Sequence, residues 1–222
     1  MPHDGGATLG QPDAPARDCT LCPRLAAYRA ANTAENPAWF NAPVPSFGGL
    51  EARLLIVGMA PGLKGANRTG RPFTGDASGA LLFESLGKFG FLAGPYGASA
   101  DDDVVLADCR ITNAVRCVPP QNLPAPREVS TCNHFLAAEL AAMPNLRAVL
   151  ALGAVAHAAM LRASGLPVTR LRFRHGATHM LPDGLALVNS YHVSRYNTAT
   201  KRLTPLMFQS VLATVTEILA RG

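Results

Sequence analysis

Short apolar runs alternate along the chain with longer segments in which apolar residues recur at helical spacing. The runs predict strands at residues 54–57, 149–152 and 185–189, and the more polar segment 110–115 is also predicted to be a strand. The longer segments predict helices at 22–31, 78–89, 127–143, 154–163 and 205–220. Pro126 and Pro144 bracket the third helix, and Thr204 is the expected N-cap of the last. The remaining stretches, 118–126 and 165–184, predict a Pro-rich loop and turn-rich connections.

Strands that alternate with helices favour an α/β fold with a mainly parallel sheet covered by helices on both faces. The length of 222 residues suits one large domain or two small ones, and no internal repeat or linker divides the chain. Residues 1–17 are rich in Gly, Pro, Ala and Asp, which predicts a disordered N-terminal lead. A single domain over residues 18–222 is therefore expected.

The charge balance is mildly basic, with a formal net charge of +5 and arginine as the main cation. Such a balance fits a polyanionic partner, and it also fits an arginine-rich composition with no such partner. The N-terminus lacks the apolar core of a secretory signal. The longest apolar run, 148–161, is too short to cross a bilayer and contains His157. We therefore expect a soluble cytoplasmic protein without a membrane partner.

Five cysteines in such a chain indicate metal or core roles rather than disulfides. Cys19 and Cys22 form a C-x-x-C pair before a helix, Cys117 ends a strand, and Cys132 begins a helix. Four thiolates from two separated segments suit a tetrahedral metal ion or a cubane cluster, and spacing alone does not choose between zinc and iron–sulfur. The alternative is a lone C-x-x-C with buried single cysteines. Cys109 is expected to be a small core residue.

Two strands are followed by loops that carry reactive or anion-binding groups. The first strand leads into Gly-Met-Ala-Pro-Gly at 58–62 and then Asn-Arg-Thr-Gly-Arg-Pro-Phe-Thr-Gly-Asp at 67–76. The last strand leads into His-Val-Ser-Arg-Tyr-Asn-Thr at 192–198. Loops at the carboxyl ends of strands line the ligand crevice of an open α/β sheet. The sequence therefore predicts a functional site where these two loops meet.

These two loops, together with Ile-Thr-Asn-Ala-Val-Arg-Cys-Val-Pro-Pro at 111–120, resemble the uracil-DNA glycosylase superfamily. The resemblance extends from Cys19 to the C-terminus and is greatest to the iron–sulfur type-B enzymes, known as family five. It implies a single three-layer α/β/α domain with a central four-stranded parallel sheet. It also implies excision of uracil and other deaminated bases, such as hypoxanthine and xanthine, from DNA by a monomeric base-excision repair enzyme that leaves an abasic site.

The resemblance assigns roles to individual residues. Asp76 and His192 would be catalytic, acting on the sugar cation and on the leaving base. The substrate would be held by Gly58, Met59, Ala60, Phe73 and Asn113. DNA contacts would come from Arg68, Arg71, Ser194, Arg195, Tyr196 and Asn197. A [4Fe–4S] cluster would be bound by Cys19, Cys22, Cys117 and Cys132.

Two departures from the family pattern matter. Met59 replaces the water-placing Glu of some relatives, so the catalytic carboxylate must come from elsewhere, and the resemblance to type-B enzymes places it at Asp76. Val193 replaces a Pro, which predicts a less rigid histidine loop.

Each assignment competes with a structural role. Asp76 is equally a preferred N-cap for the next helix. Phe73 suits the core, Asn113 suits a structural hydrogen bond, and the arginines suit a solvated face. At the level of function, the competing hypothesis is a non-catalytic nucleic-acid-binding module with a structural or redox-sensing cluster.

Overall fold

The computed structural model describes residues 12–221. Its strands are β1 (Leu54–Gly58), β2 (Leu92–Ala93), β3 (Val105–Leu106), β4 (Cys109–Asn113), β5 (Ala148–Leu152), β6 (Thr178–Met180) and β7 (Ala186–Ser190). Its helices are α1 (Pro23–Glu35), α2 (Ala66–Thr69), α3 (Ala77–Lys88), α4 (Pro126–Ala141), α5 (Ala154–Ala163), α6 (Arg195–Ala199) and α7 (Pro205–Ala220). A 3-10 turn covers Pro120–Asn122 within the predicted Pro-rich loop.

The central sheet has five strands in the order β4-β1-β5-β7-β6. The first four are parallel, as the alternation of strands and helices predicted. The sheet has one strand more than the four that were expected, because β6 pairs antiparallel with β7 as an additional edge strand. This strand lies in the segment predicted as turn-rich connections, and β2 and β3 form a separate small hairpin.

Helices cover both faces of the sheet because successive residues of each strand point to opposite sides. In β1, Leu54 and Ile56 belong to a hydrophobic cluster with α3 and α7. Leu55 and Val57 belong to a second cluster with α1, α4 and α5. All five residues of β1 are buried, which explains why the strand is a continuous apolar run rather than an alternating one.

The helix boundaries follow local chemistry. Proline lies in the first turn of α1, α4 and α7, where its missing N–H costs nothing. Thr204 caps α7 by accepting a hydrogen bond from the backbone N–H of Met207, which confirms the prediction. Cys109 is fully buried in the cluster beneath α3 and α7, as expected for a core residue.

Most of the predicted disordered lead lies outside the described residues. Residues 12–16 have no helix or strand. Arg17, at the end of the predicted lead, donates a hydrogen bond to the carbonyl of Phe40 at 3.0 Å and lies over its ring. Within residues 12–221, no helix is long and apolar enough to span a bilayer.

Candidate active site

The carboxyl ends of all four parallel strands meet at one edge of the sheet. Gly58 at the end of β1 is level with Asn113 at the end of β4. Leu152 at the end of β5 is level with Ser190 at the end of β7. The chain passes from β1 to β4 on one side and then to β5 on the other, so the connections diverge at this edge and leave a crevice.

A cavity of about 910 Å³ occupies this crevice. It is lined by most of the predicted site residues, namely Met59, Ala60, Phe73, Asp76, Asn113, His192, Ser194, Arg195, Tyr196 and Asn197. These residues come from four segments of the chain and are up to 138 positions apart. The volume is within the usual range of about 300–1,000 Å³ for small-molecule sites.

One wall of the cavity is formed by Phe73, Asn113 and His192. The rings of Phe73 and His192 have centroids 5.9 Å apart. Asn113 is 3% exposed and its side chain has no hydrogen-bond partner within residues 12–221, so its amide is available to a ligand. The structural hydrogen bond that was the alternative role for Asn113 is therefore not formed.

Gly58 supports this wall from behind instead of lining the cavity. A Cβ atom at Gly58 would lie 2.3 Å from Oδ1 of Asn113 and 2.6 Å from Cζ of Phe73. Only a residue without a side chain lets these two groups approach each other here. Gly58 thus shapes this wall without reaching the cavity itself.

Phe73 is held in an unusual backbone conformation, with φ at 54°. Positive φ is strained for a bulky residue and persists only where surrounding contacts enforce it. The hydroxyl of Tyr96 donates to the carbonyl of Phe73 at 3.2 Å. Gly79 leaves room for that carbonyl, since a Cβ there would approach it to 2.0 Å. These contacts hold the strained backbone in place and keep the Phe73 ring against the cavity.

The carboxylate of Asp76 divides its two oxygens between two surroundings. Oδ1 accepts a hydrogen bond from the backbone N–H of Ser78 at 2.9 Å and caps α3. Oδ2 lies against the glycine loop, where a Cβ at Gly62 or Gly65 would come within 2.6 Å or 2.2 Å of it. Both glycines line the cavity. The N-cap and catalytic roles, which the sequence set against each other, are compatible in one side chain.

His192 lies in surroundings that favour its neutral form. Burial lowers the pKa of its imidazole below the ordinary 6.5, and the nearby charge of Asp76 offsets part of this effect. The amide Nδ2 of Asn197 donates to the backbone carbonyl of His192 at 2.8 Å. Val193 is fully buried in the core. The replacement of proline by Val193 predicted a less rigid loop. In the structure, the packing of Val193 and this hydrogen bond restrain the loop instead.

The segment after His192 forms α6 rather than an irregular loop. Ser194 caps it by accepting from the N–H of Asn197 at 3.4 Å, and Asn197 bonds to His192. Ser194 and Asn197, which were both predicted to contact DNA, therefore form hydrogen bonds within the protein. Arg195 is exposed, and Tyr196 is 72% exposed, at the cavity. An aromatic ring this exposed is available to a partner rather than to the core.

The two predicted arginine contacts in the first loop have different surroundings. Arg71 is 6% exposed and forms two hydrogen bonds with Asp102, at 2.6 Å and 2.9 Å. Its guanidinium also lies over the ring of Phe47. A buried, paired arginine cannot reach a phosphate, so the prediction for Arg71 was wrong and its role is to fix the loop. Arg68 is exposed but donates to the carbonyls of Lys64 and Gly75.

Several cavity residues were missed by the sequence analysis: Lys64, Asn122, Phe173, Tyr191 and Arg202. The ring of Tyr191 stacks on His175 at 4.9 Å, and the guanidinium of Arg202 lies over it at 4.7 Å. Tyr191 was detectable as the neighbour of His192. Phe173 carried no periodic signal because it lies in an irregular segment.

The four predicted cysteine ligands line a second, small cavity between α1 and α4. Arg29 joins two of their segments by hydrogen bonds from its guanidinium to Sγ of Cys117, at 3.5 Å, and to the carbonyl of Cys19, at 2.9 Å. Burial raises the pKa of the Cys22 and Cys117 thiols to about 11, and neighbouring thiols add to the increase. The thiols are thus close enough to influence one another's ionisation.

The four predicted ligands surround one shared space. Within residues 12–221, no group of three or more His, Cys, Asp or Glu side chains is placed to hold one metal ion. The donor set is four sulfurs around a shared space with apolar neighbours such as Leu25 and Phe135. Four thiolates are the donors that a cubane cluster requires.

Comparison with known proteins agrees with this geometry. A model of the uracil DNA glycosylase superfamily matches residues 45–216. A Type-5 uracil-DNA glycosylase of Thermus thermophilus is 47% identical over 200 residues, covering 87% of this chain and 90% of that protein. One from Pyrobaculum aerophilum is 41% identical over 209 residues, covering 92% and 88%. A Type-4 uracil-DNA glycosylase of Thermotoga maritima is 35% identical over 126 residues, covering 56% and 57%. The chain therefore belongs to the uracil DNA glycosylase superfamily, and within it to the type-5 group that its motifs predicted.

Proposed function

We propose that this protein is a monofunctional DNA glycosylase that removes uracil from DNA and leaves an abasic site. The observation that carries the proposal is the convergence of Asp76, Phe73, Asn113 and His192 on one cavity. Each of these groups meets one need of N-glycosidic bond cleavage. Family membership and the similarity to type-5 enzymes support the same conclusion.

Cleavage of the bond leaves positive charge on the sugar and negative charge on the base. Oδ2 of Asp76, which the cap does not use, is available to stabilise the sugar cation and to orient the attacking water. Neutral His192 donates a hydrogen bond to the base oxygen as that oxygen becomes anionic. Both effects would strengthen once bound DNA displaces water from the cavity.

A base reaches this cavity only after leaving the helical stack. The ring of Phe73 then provides a stacking surface for it, and Asn113 presents an amide to its polar edge. Tyr196, which is 72% exposed at the cavity, is positioned to occupy the space left in the duplex. Arg195 is exposed next to it and is available to a phosphate.

We extend the proposal to other deaminated bases, including hypoxanthine and xanthine. A side-chain amide offers both a donor and an acceptor, so Asn113 can pair with base edges of different pattern. The cavity volume of about 910 Å³ leaves room for a purine. The sugar, on which Asp76 acts, is common to all these lesions.

We also propose that Cys19, Cys22, Cys117 and Cys132 bind a [4Fe–4S] cluster. Their donor number and shared cavity support a cluster, and the resemblance to the iron–sulfur members of the family favours it over a single zinc ion. When bound, the cluster would serve as a structural crosslink between the N-terminal segment, the segment after β4 and α4. Arg29 already bridges two of these segments and would donate to a ligating sulfur.

The function is tested by incubating the protein with duplexes that each carry one lesion, followed by alkaline cleavage. We expect cleavage at uracil only after alkali. If the wild-type protein binds these duplexes but produces no abasic site, the result would favour the competing hypothesis of a non-catalytic nucleic-acid-binding module.

Monofunctional chemistry is tested by borohydride trapping. No lysine lies within the four sequence motifs, and Lys64, the lysine nearest to them in the chain, lines the cavity. Its side chain is exposed, whereas Schiff-base lysines are activated by desolvation or neighbouring cations. We expect no covalent protein–DNA adduct, and a trapped adduct that disappears in Lys64→Gln would contradict the proposal.

The cluster is tested by iron content and absorption near 400 nm in two matched variants. Cys117→Ser removes a proposed ligand and should lose iron. Cys109→Ser changes the remaining cysteine, which is buried in the hydrophobic core beneath α3 and α7, and this variant should retain its iron. Full iron content in Cys117→Ser would exclude the proposed ligand set.

A further inference from the structure

Positive charge without a carboxylate partner is concentrated in one stretch of the chain. Residues 165–204 contain six cationic residues, and Asp183 is their only acidic residue. The six are Arg170, Arg172, Arg174, Arg195, Lys201 and Arg202. None of them forms a salt bridge within residues 12–221. By contrast, the arginines with buried or half-buried carboxylate partners lie elsewhere: Arg24, Arg53, Arg71, Arg110 and Arg116.

Arg170, Arg172 and Arg174, here called the arginine strip, alternate with residues that face inward. The three arginines are exposed, whereas Leu171 and the two residues that follow in this alternation are half-buried. Alternation of this kind indicates an extended segment in which every second side chain points the same way. Neighbouring arginines of the strip are then about 6.6 Å apart along the backbone, far enough for each to take a separate phosphate.

The inward residues anchor the strip to the body of the protein. Nε2 of the buried His157 donates to the carbonyl of Leu171 at 3.0 Å. The ring of Phe173 meets the His157 ring edge-on at 5.8 Å. Nδ1 of His175 accepts a hydrogen bond from the N–H of Tyr191 at 3.1 Å. The backbone of the strip is thus fixed while its charged ends remain in solvent.

These anchors also fix the strip at the cavity. Phe173, which separates two of its arginines, lines the cavity. His175 stacks on Tyr191, the residue before His192. Arg202 lies over the same Tyr191 ring. The strip and Arg202 therefore flank the cavity as one basic surface.

We propose that the arginine strip binds the phosphate backbone of duplex DNA beside the nucleotide that enters the cavity. The inference rests on the proposed function for the identity of its partner. Arginine is suited to this task because its planar guanidinium forms paired hydrogen bonds with phosphate oxygens. Contacts of this kind position the duplex and add affinity without reading sequence.

The test measures the salt dependence of binding to a short duplex that contains no lesion. Each neutralised phosphate contributes about 0.9 to the slope of log K against log salt concentration. Replacing Arg172 and Arg174 by Gln together should reduce that slope by about 2 and weaken binding at every salt concentration. Fluorescence anisotropy between low and moderate salt provides the slope. Circular dichroism melting confirms that the variant is folded.

A matched control removes the same charge at the opposite edge of the sheet. Arg147 directly precedes β5, and Arg221 follows α7, whose end is held near β1 by a hydrogen bond from Arg53 to Leu219. Arg147→Gln with Arg221→Gln should leave the slope unchanged. If net charge alone drives binding, the slope falls by the same amount in both double variants, and the proposal is overturned.

A second variant keeps the test valid if glutamine disturbs the segment. Arg172→Lys with Arg174→Lys retains both charges and should keep the wild-type slope. The proposal is refuted if the glutamine variant keeps the slope or if the lysine variant loses as much as the glutamine variant. Because the duplex carries no lesion, the outcome is independent of base excision. Failure of the glycosylase assay with an intact slope would reject only the proposed function.

Discussion

Asp76→Asn separates the two roles that this carboxylate holds at the start of α3. Asparagine keeps an Oδ1 for the hydrogen bond to Ser78 and is as good an N-cap as aspartate. It removes the negative charge that the proposed mechanism places near the sugar cation. The substitution therefore tests charge while preserving the cap.

The expected size of the effect follows from electrostatics. Two unit charges about 4 Å apart interact by roughly 4 kcal/mol at an effective dielectric constant of about 20. Removing one well-placed electrostatic group from an active site typically costs about 10²–10³ in rate. We expect Asp76→Asn to slow the chemical step at least roughly a hundredfold. The loss should be similar for uracil and hypoxanthine, because the sugar is the same in both.

Single-turnover rates at saturating enzyme measure this step directly, with the melting temperature recorded alongside. The change in stability should stay within about 1 kcal/mol, because only the interaction of charge with the helix dipole is lost. Thr204→Ala is the matched control for a lost cap, since Thr204 caps α7 away from the cavity. It should lower stability by about 1 kcal/mol and leave the rate unchanged.

The combination of outcomes decides the question. A slow but stable Asp76→Asn beside a fast but less stable Thr204→Ala identifies Asp76 as a catalytic group. Near-wild-type rates in Asp76→Asn would refute the electrostatic role and leave Asp76 only as a helix cap.

Three further predictions concern neighbouring residues. Asn113→Ala should change the ratio of uracil to hypoxanthine excision rates by roughly fivefold, since one hydrogen bond is worth about 1 kcal/mol; equal losses on both lesions would argue against base recognition. Because burial lowers the pKa of His192, kcat/KM should stay level as pH falls through 6.5, and Asp76→Asn should lower the NMR titration point of His192 further. Asp102→Asn should cost about 3 kcal/mol of stability in urea unfolding, because it breaks a buried ion pair. The pKa of Asp102 is lowered from 3.8 to about 2 by its arginine partner, so this contribution should be present above about pH 4 and lost towards pH 2.

The hydrophobic pattern of the sequence was sufficient to predict the four parallel strands and the five long helices. Strands β1 and β5 are buried on both faces, so their signal is a continuous apolar run that needs no knowledge of neighbours. Strand β6 was missed for the opposite reason. Its three residues are exposed or half-buried, and it exists only because β7 offers an unpaired edge.

The sequence also placed the candidate site at the ends of β1 and β7. Parallel strands bring all their carboxyl ends to one edge, so residues that follow different strands meet whatever their separation along the chain. The convergence of Asp76 and His192 on one cavity follows from this rule. The resemblance to a known family supplied their individual roles.

Tertiary structure decided which charged and polar groups are free. Arg71 and Arg172 are alike in sequence, but Asp102 neutralises one and no carboxylate within residues 12–221 neutralises the other. The partner of Arg71 is 31 positions away, on a segment with no periodic pattern. Asp76 can likewise combine a cap with a second role because the preceding glycine loop folds back against its second oxygen. Hydrophobic periodicity determines which faces are buried, whereas pairing between distant polar groups depends on the folded chain.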